Sequence, residues 1–322
     1  VVFVSSTLAS QRGKALTGAT PGIQKRRRMT MKTSITNTSI TKGQKKQYFR
    51  FVEGAAERAF KETGLYKDGL QKLIENGDKF QAMIMTAVRK LSVSNQFVDE
   101  ETESNYGYFS GYKPKGITEQ TNRLRELFPW IGYADEKLAE QCLPPNAEGW
   151  FAIPRWEKIA PTYGEAVQKM LDLIKQTQNG VFYNYREGQL GPQYLRQSQK
   201  SSKAFQKLGD EQKEHDILVV SAQFGLRHRG RSIRRTRKVM NANEFGLGAF
   251  AIGIMIMTHP ERIQHYDDLW INCSGDEFSP DARGDFSWSP YFWFCDGEVG
   301  FRTRWVNDAS GSCGSAFGLV SQ

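Results

Sequence analysis

Hydrophobic positions near the start of the chain recur at three- and four-residue spacing. Tyr48, Phe49, Val52, Ala56, Ala59 and Phe60 form one such stripe, which predicts a helix closing at Gly64. A short helix is predicted over 66–75, stopped by Asn76-Gly77. A third runs over 78–91, with Phe80, Ile84, Ala87, Val88 and Leu91 on one face. The period then lapses, and residues 94–116, polar and glycine-rich, read as a loop. Leu124, Leu127 and Phe128 predict a helix from Thr118 that stops before Pro129, and another is predicted over 134–142.

After the boundary signal Leu143-Pro144-Pro145-Asn146 the pattern changes. A short strand over 149–153 ends at Pro154. Val167, Met170, Leu171 and Ile174 then give an amphipathic helix over 163–174. Residues 180–205 hold Phe182, Tyr183, Tyr185 and Tyr194, followed by a polar helix. Strands are predicted at 216–220, 269–273 and 316–320. Residues 234–256 read as partly helical and buried, with Met240, Phe245, Ala249 and Ile252 inward.

The strongest local signal lies at 288–305, where two alternating runs flank Asp296-Gly297. A type I′ turn needs positive φ at both central residues, which Asp-Gly supplies. That turn fixes the register. Phe294 then opposes Val299, Phe292 opposes Phe301 and Trp288 opposes Trp305, all on a core face. The other face pairs Cys295 with Glu298, Trp293 with Gly300, Tyr291 with Arg302 and Ser289 with Arg304. Tyr, Trp and Arg are the types enriched at binding hot spots, so this face is the candidate ligand surface.

The chain has 322 residues and a net charge of +9. Residues 1–45 contain nine Lys and Arg and no acid, so they carry the whole excess; the remaining 35 basic residues balance 35 acidic ones. This stretch, rich in Ser, Thr, Gly and Lys, reads as a disordered basic tail, and Met29 or Met31 reads as a natural start. Its run Lys25-Arg26-Arg27-Arg28 suits nucleic-acid or membrane phosphate, or is simply a solvated tail. Four scattered cysteines without a CxxC, no signal peptide and no apolar run long enough to span a bilayer suggest a soluble protein of a reducing, cytoplasmic compartment.

Other groupings are weaker. The segment 227–238 is dense in Arg and contains no acid, which suits phosphate; its guanidiniums could equally pair with Asp267, Asp268, Asp276, Glu277 or Asp281. Gly246-Leu247-Gly248 and Gly253 lack phosphate-loop spacing and suit close helix packing better. His259 and His265, with Asp267 and Asp268 following, could be half of a metal or acid–base site but lack paired-ligand spacing, so a helix-end cap or a surface histidine is the better reading. Asp276-Glu277 with Asp281 lacks the calcium-loop pattern, and no GxSxG is present. No cofactor, metal site or catalytic constellation is expected.

Several stretches carry a family resemblance: Arg227-His228-Arg229-Gly230-Arg231-Ser232, then Asn241-Ala242-Asn243-Glu244-Phe245-Gly246-Leu247-Gly248. Leu269-Trp270-Ile271-Asn272-Cys273-Ser274-Gly275-Asp276-Glu277-Phe278 and Gly314-Ser315-Ala316-Phe317-Gly318 complete the set. With these, residues 146–322 resemble proteins of uncultured small-genome bacteria, which in turn resemble the variable proteins of diversity-generating retroelements. The resemblance implies a C-type-lectin-like (formylglycine-generating-enzyme-like) fold with a diversified surface near the C-terminus. The chain departs from that pattern at its end, which lacks the Gly-Phe-Arg common in the wider fold. It also lacks the paired cysteines of the copper-dependent enzyme, so that activity is not carried over.

The expectation is an α+β protein: a basic tail (1–45), a helical region (46–145), and a C-type-lectin-like domain (146–322) with a twisted antiparallel sheet whose last strand returns near the first. It is expected to be a non-enzymatic binding protein. Ser287, Ser289, Tyr291, Trp293, Arg302 and Arg304 would form the recognition surface, extended by Asn307, Asp308, Ser310 and Ser312. The competing expectation is nucleic-acid binding through Arg227, Arg229, Arg231, Arg234 and Arg235.

Overall fold

The computed structural model of the chain describes residues 40–92, 96–178 and 181–320. Up to position 39, the expected basic tail and its two candidate starts lie outside these residues. From Thr41 on, helix replaces the expected tail. Thr41 and Gln44 form a capping box for α1 (Lys42–Thr63), and Gly64 closes it with φ 59°. α2 (Lys67–Glu75) and α3 (Gly77–Leu91) follow as the spacing predicts. No residue of α1 or α2 is buried.

The boundary expected at 145/146 does not separate two cores. Leu124 of α4 (Ile117–Leu127), with Phe128 and Ile131, is buried in the same cluster as Phe151 and Phe224. The Gln120 amide explains the joint. It donates to the carbonyls of Lys115 and Trp150 and accepts from the Ala152 N–H, which stitches α4 to β1 (Gly149–Pro154). The expected loop at 94–116 is also tied down. Tyr108 and Tyr112 donate to half-buried Glu148 at 2.9 and 3.3 Å, and the Arg262 guanidinium lies 4.0 Å from the Tyr108 ring centre. The helix expected at 134–142 is only a 3-10 turn, Glu136–Glu140.

α5 (Tyr163–Thr177) packs its predicted stripe inward. β2 (Phe182–Asn184), β3 (Leu195–Gln197), α6 (Gln199–Glu211) and β4 (Ile217–Gln223) follow. The partly helical stretch resolves into α7 (Ile233–Val239), β5 (Glu244–Gly246) and α8 (Ala249–Thr258), and every residue of α8 is buried. Gly253 explains how α8 lies so close to α5: a Cβ there would sit 1.9 Å from Met170 Sδ. The chain ends in β6 (Trp270–Asn272), β7 (Asp276–Phe278), β8 (Trp288–Cys295), β9 (Glu298–Trp305), β10 (Cys313–Ser315) and β11 (Phe317–Leu319).

The strands form two sheets. One, antiparallel, has the order β1-β4-β11-β5, so β4 intervenes between the first strand and the last. The other is mixed. Its path is β10-β6-β8-β7-β3, β9 pairs with β8, and β2 runs parallel to β9. Among the described residues no helix is long and apolar enough to cross a membrane.

Asp276, expected in an acidic loop cluster, is instead buried at the start of α8. It accepts from the Ala249 N–H at 2.7 Å and from the Tyr163 hydroxyl at 2.8 and 3.0 Å. Burial, opposed by these donors and by Arg237, pushes its carboxyl up to about 7. The folded protein therefore holds a proton that the unfolded chain gives up. Its contribution to stability is full below the ordinary carboxylate range and is lost as pH rises through about 7. Asp276→Asn is expected to remove that decline. Denaturant midpoints at about pH 5 and about pH 8 check it, and the same decline in both proteins would refute it.

Candidate ligand-binding face

The predicted hairpin forms in the predicted register. Asp296 and Gly297 take φ 53° and 83°, and β8 and β9 pair from Trp288 opposite Trp305 to Cys295 opposite Glu298. On the inner face Phe292, Phe301 and Val299 are buried. Trp305 departs from expectation. It lies at the rim, 50% exposed, with its ring 4.7 Å from that of Trp288.

The outer face is wider than the hairpin. Trp270 of β6 stacks on Tyr291 (centroids 6.1 Å apart, planes at 20°) and meets Trp293 edge-on at 5.8 Å. On the far side, Tyr183 of β2 and Tyr185 contact each other at 4.4 Å, and Tyr185 reaches Trp293 at 6.1 Å. The Arg302 guanidinium sits 5.2 Å from the Tyr185 ring centre and Arg304 5.7 Å from that of Tyr291. The result is a row of five aromatic rings edged by two guanidiniums. Gly300 makes room for it: a Cβ there would lie 2.1 Å from Trp293 Nε1, so the indole rests on bare backbone.

The ten expected surface residues divide sharply. Arg302, Asn307 and Asp308 are exposed, and Ser287, Trp293, Arg304, Ser310 and Ser312 are half-buried. Ser289 is a correction. It is fully buried and donates to the carbonyls of Cys273 and Asp276, so it belongs to the interior. Tyr291 is 9% exposed and lies beneath Trp270 and Arg304, so it is mostly a support for the face. The hydroxyls of Ser310 and Ser312 bond each other at 2.8 Å. Tyr183, Tyr185 and Trp270 were missed. The alternation at 182–185 hints at a strand with one aromatic face, but its pairing with β9 is non-local.

Charge on this face is uneven. Arg304 pairs with Asp308 at 2.5 Å and also donates to the Cys313 thiol. No carboxylate pairs with Arg302 among the described residues. The indole N–H groups of Trp270 and Trp293 are buried without a hydrogen-bond partner. The face thus offers flat stacking surface and one uncommitted guanidinium, while the two indole N–H groups are turned away from solvent.

The guanidiniums of the basic segment at 227–238 are engaged within the molecule, although Arg229 and Lys238 stay exposed. Arg227 pairs with buried Glu244, Arg231 and Arg235 with Glu101, and Arg234 with Glu100. Arg229 donates to the Tyr106 carbonyl, and Arg237 to those of Ser274 and Asp276. The partners expected downstream are replaced by Glu100 and Glu101, which strap residues 96–104 onto α7. Burial raises the Glu100 carboxyl, but hydrogen bonds from Arg234 and Ser232 and the charge of Arg234 outweigh it, and the pKa is net lowered. This support is therefore present above the ordinary carboxylate range and lost as pH falls. Glu100→Gln is expected to speed amide exchange about tenfold at Thr102 and Ser232, whose N–H groups bond the Gly230 and Glu100 carbonyls. Unchanged protection there would dismiss the strap.

The histidines stay apart in role. His259 is buried against Tyr112 and Phe151 and ends α8. Its Nε2 accepts from the Lys115 N–H, and burial lowers its pKa to about 4. His265 is exposed beside Phe109. Among the described residues no group of three or more His, Cys, Asp or Glu is placed to hold a metal.

No protein-family signature, curated protein or solved structure matches the chain.

Proposed function

We propose that the chain is a ligand-binding display protein, without catalytic activity, whose β6-β8-β9-β2 face recognises a partner. On this reading residues 146–322 adopt a C-type-lectin-like fold, and the protein is a variable protein of a diversity-generating retroelement. One observation carries it: adjacent residues of the hairpin have opposite fates. Phe292 and Phe301 are locked in the core, while Arg302 is exposed and the half-buried Trp293 lies on the outer face. Such a strand tolerates change on one side while the other keeps the fold. The binding surface comprises Trp293, Arg302, Arg304, Ser287, Asn307, Asp308, Ser310 and Ser312, with Tyr183, Tyr185 and Trp270 as flanking rings and Tyr291 as their support. Nucleic-acid binding through 227–238 is the weaker reading, because those guanidiniums already hold carboxylates and carbonyls.

The test is the encoding DNA. A neighbouring reverse transcriptase and an imperfect copy of the 3′ coding end are expected. The two copies should differ mainly at adenines, in codons of the outer-face residues and not in those of Phe292, Phe294, Val299 or Phe301. Differences spread evenly over both faces, or no second copy, would remove the retroelement assignment.

A further inference from the structure

A second surface lies far along the sequence from this face. α1, α2 and α3 keep their large apolar side chains in water: Phe49 is 55% exposed, Phe51 66%, Ile74 64% and Met83 70%. At about 100° per residue, Tyr48, Val52, Ala56 and Phe60 fall on one stripe of α1, and Phe80, Met83, Ile84 and Ala87 on one stripe of α3. Each stripe spans about a third of the circumference. Short helices do not persist in water on propensity alone, so these stripes call for a covering surface.

Charge says what kind. Residues 42–91 hold eleven Lys and Arg against six Asp and Glu. Residues 93–322 hold 26 against 29, so the positive charge is gathered at this end of the chain. Lys46, Arg50, Arg58 and Lys61 line the polar side of α1. A second copy would bring like charge to like charge. A nucleic acid would satisfy the lysines and leave the phenylalanines wet. An anionic bilayer surface meets both demands, with acyl chains for the stripes and headgroups for the ammonium groups. The helices have 22, 9 and 15 residues and each carries charged side chains, which suits lying in the interface rather than crossing it.

We propose that α1, α2 and α3 form a membrane-surface anchor, which seats its apolar stripes among anionic lipid headgroups. This does not depend on the function proposed for the sheet face.

The full chain should be sedimented with phosphatidylcholine vesicles, with and without about one third phosphatidylglycerol. Pelleting is expected to be about tenfold greater with the anionic lipid and to fall steeply at about 0.5 M salt. Phe49→Ser with Met83→Ser should lower it about tenfold, whereas Phe49→Leu should preserve it. Both side chains are exposed, so the thermal midpoint should not move. Four results would overturn the anchor: no pelleting with either vesicle; equal pelleting with both; full pelleting by the double serine variant; or duplex DNA displacing the vesicles. So would a wild-type dimer that the serine variant dissolves, since a second copy would then be the cover.

Discussion

Trp293→Ala combined with Arg302→Ala is expected to weaken capture of the protein's partner by about a hundredfold to a thousandfold while shifting the melting temperature by only a few degrees. Aromatic and arginine anchors at the centre of a face typically cost about 2 kcal/mol or more each when truncated, which yields that range if both contribute. Little stability should be lost. Arg302 is exposed and has no ion pair among the described residues, and Trp293 rests on Gly300 rather than filling the core. The measurement is a binding titration of wild type and variant against any partner recovered with the wild-type chain, beside a thermal melt. Undiminished binding sinks the proposed face, and an unfolded variant reassigns both side chains to the core. Tyr291→Ala is a poorer probe. At 9% exposure, stacked on Trp270, it is expected to cost about 2–4 kcal/mol of stability, so lost binding would be ambiguous.

Phe292→Ala, one residue away, is expected to behave in the opposite way. Its ring is fully buried against Phe301, with centroids 5.1 Å apart, in the centre of the mixed sheet. Removing it costs the transfer energy of the ring plus that of the cavity left behind, about 3–5 kcal/mol. For a domain of this size that lowers the melting temperature by roughly 10 °C. Calorimetry or a denaturant curve reads it directly. A loss below about 1 kcal/mol would mean that the inner face is not the core, and the two-sided description of the hairpin would fall with it.

The contrast between neighbours was readable before any coordinates, because it depends only on local chemistry. Asp296-Gly297 sets the turn, the turn sets the register, and the pleat sorts odd from even positions. The helices over 46–91 were readable for the same reason, since spacing and the Gly64 cap are local, whereas the Thr41 capping box that begins the first helix at Lys42 was not read. What lies over a strand is not local. Ser289 has the parity of Trp293, but it donates to the Cys273 and Asp276 carbonyls and is sealed in. Tyr291 has that parity too, yet Trp270, from a strand some twenty residues earlier, roofs it. Arg231, Arg234 and Arg235 have their acids more than a hundred residues upstream, at Glu100 and Glu101, where nothing in the sequence pointed. The boundary at Pro144-Pro145 marked a real break in the backbone pattern. It could not reveal that the Gln120 amide spans the break and joins both sides in one core.

The bare backbone at Gly300 has one more consequence. Because the indole of Trp293 lies directly on it, that single side chain fills the hollow in the middle of the row of rings. Exchange it for serine or alanine and the same unmoved strands would present a notch floored by peptide, with walls of tyrosine and tryptophan. The relief of the surface can therefore pass from ridge to groove through one codon, and on the proposed reading such a scaffold would meet both hollow and protruding targets without being rebuilt.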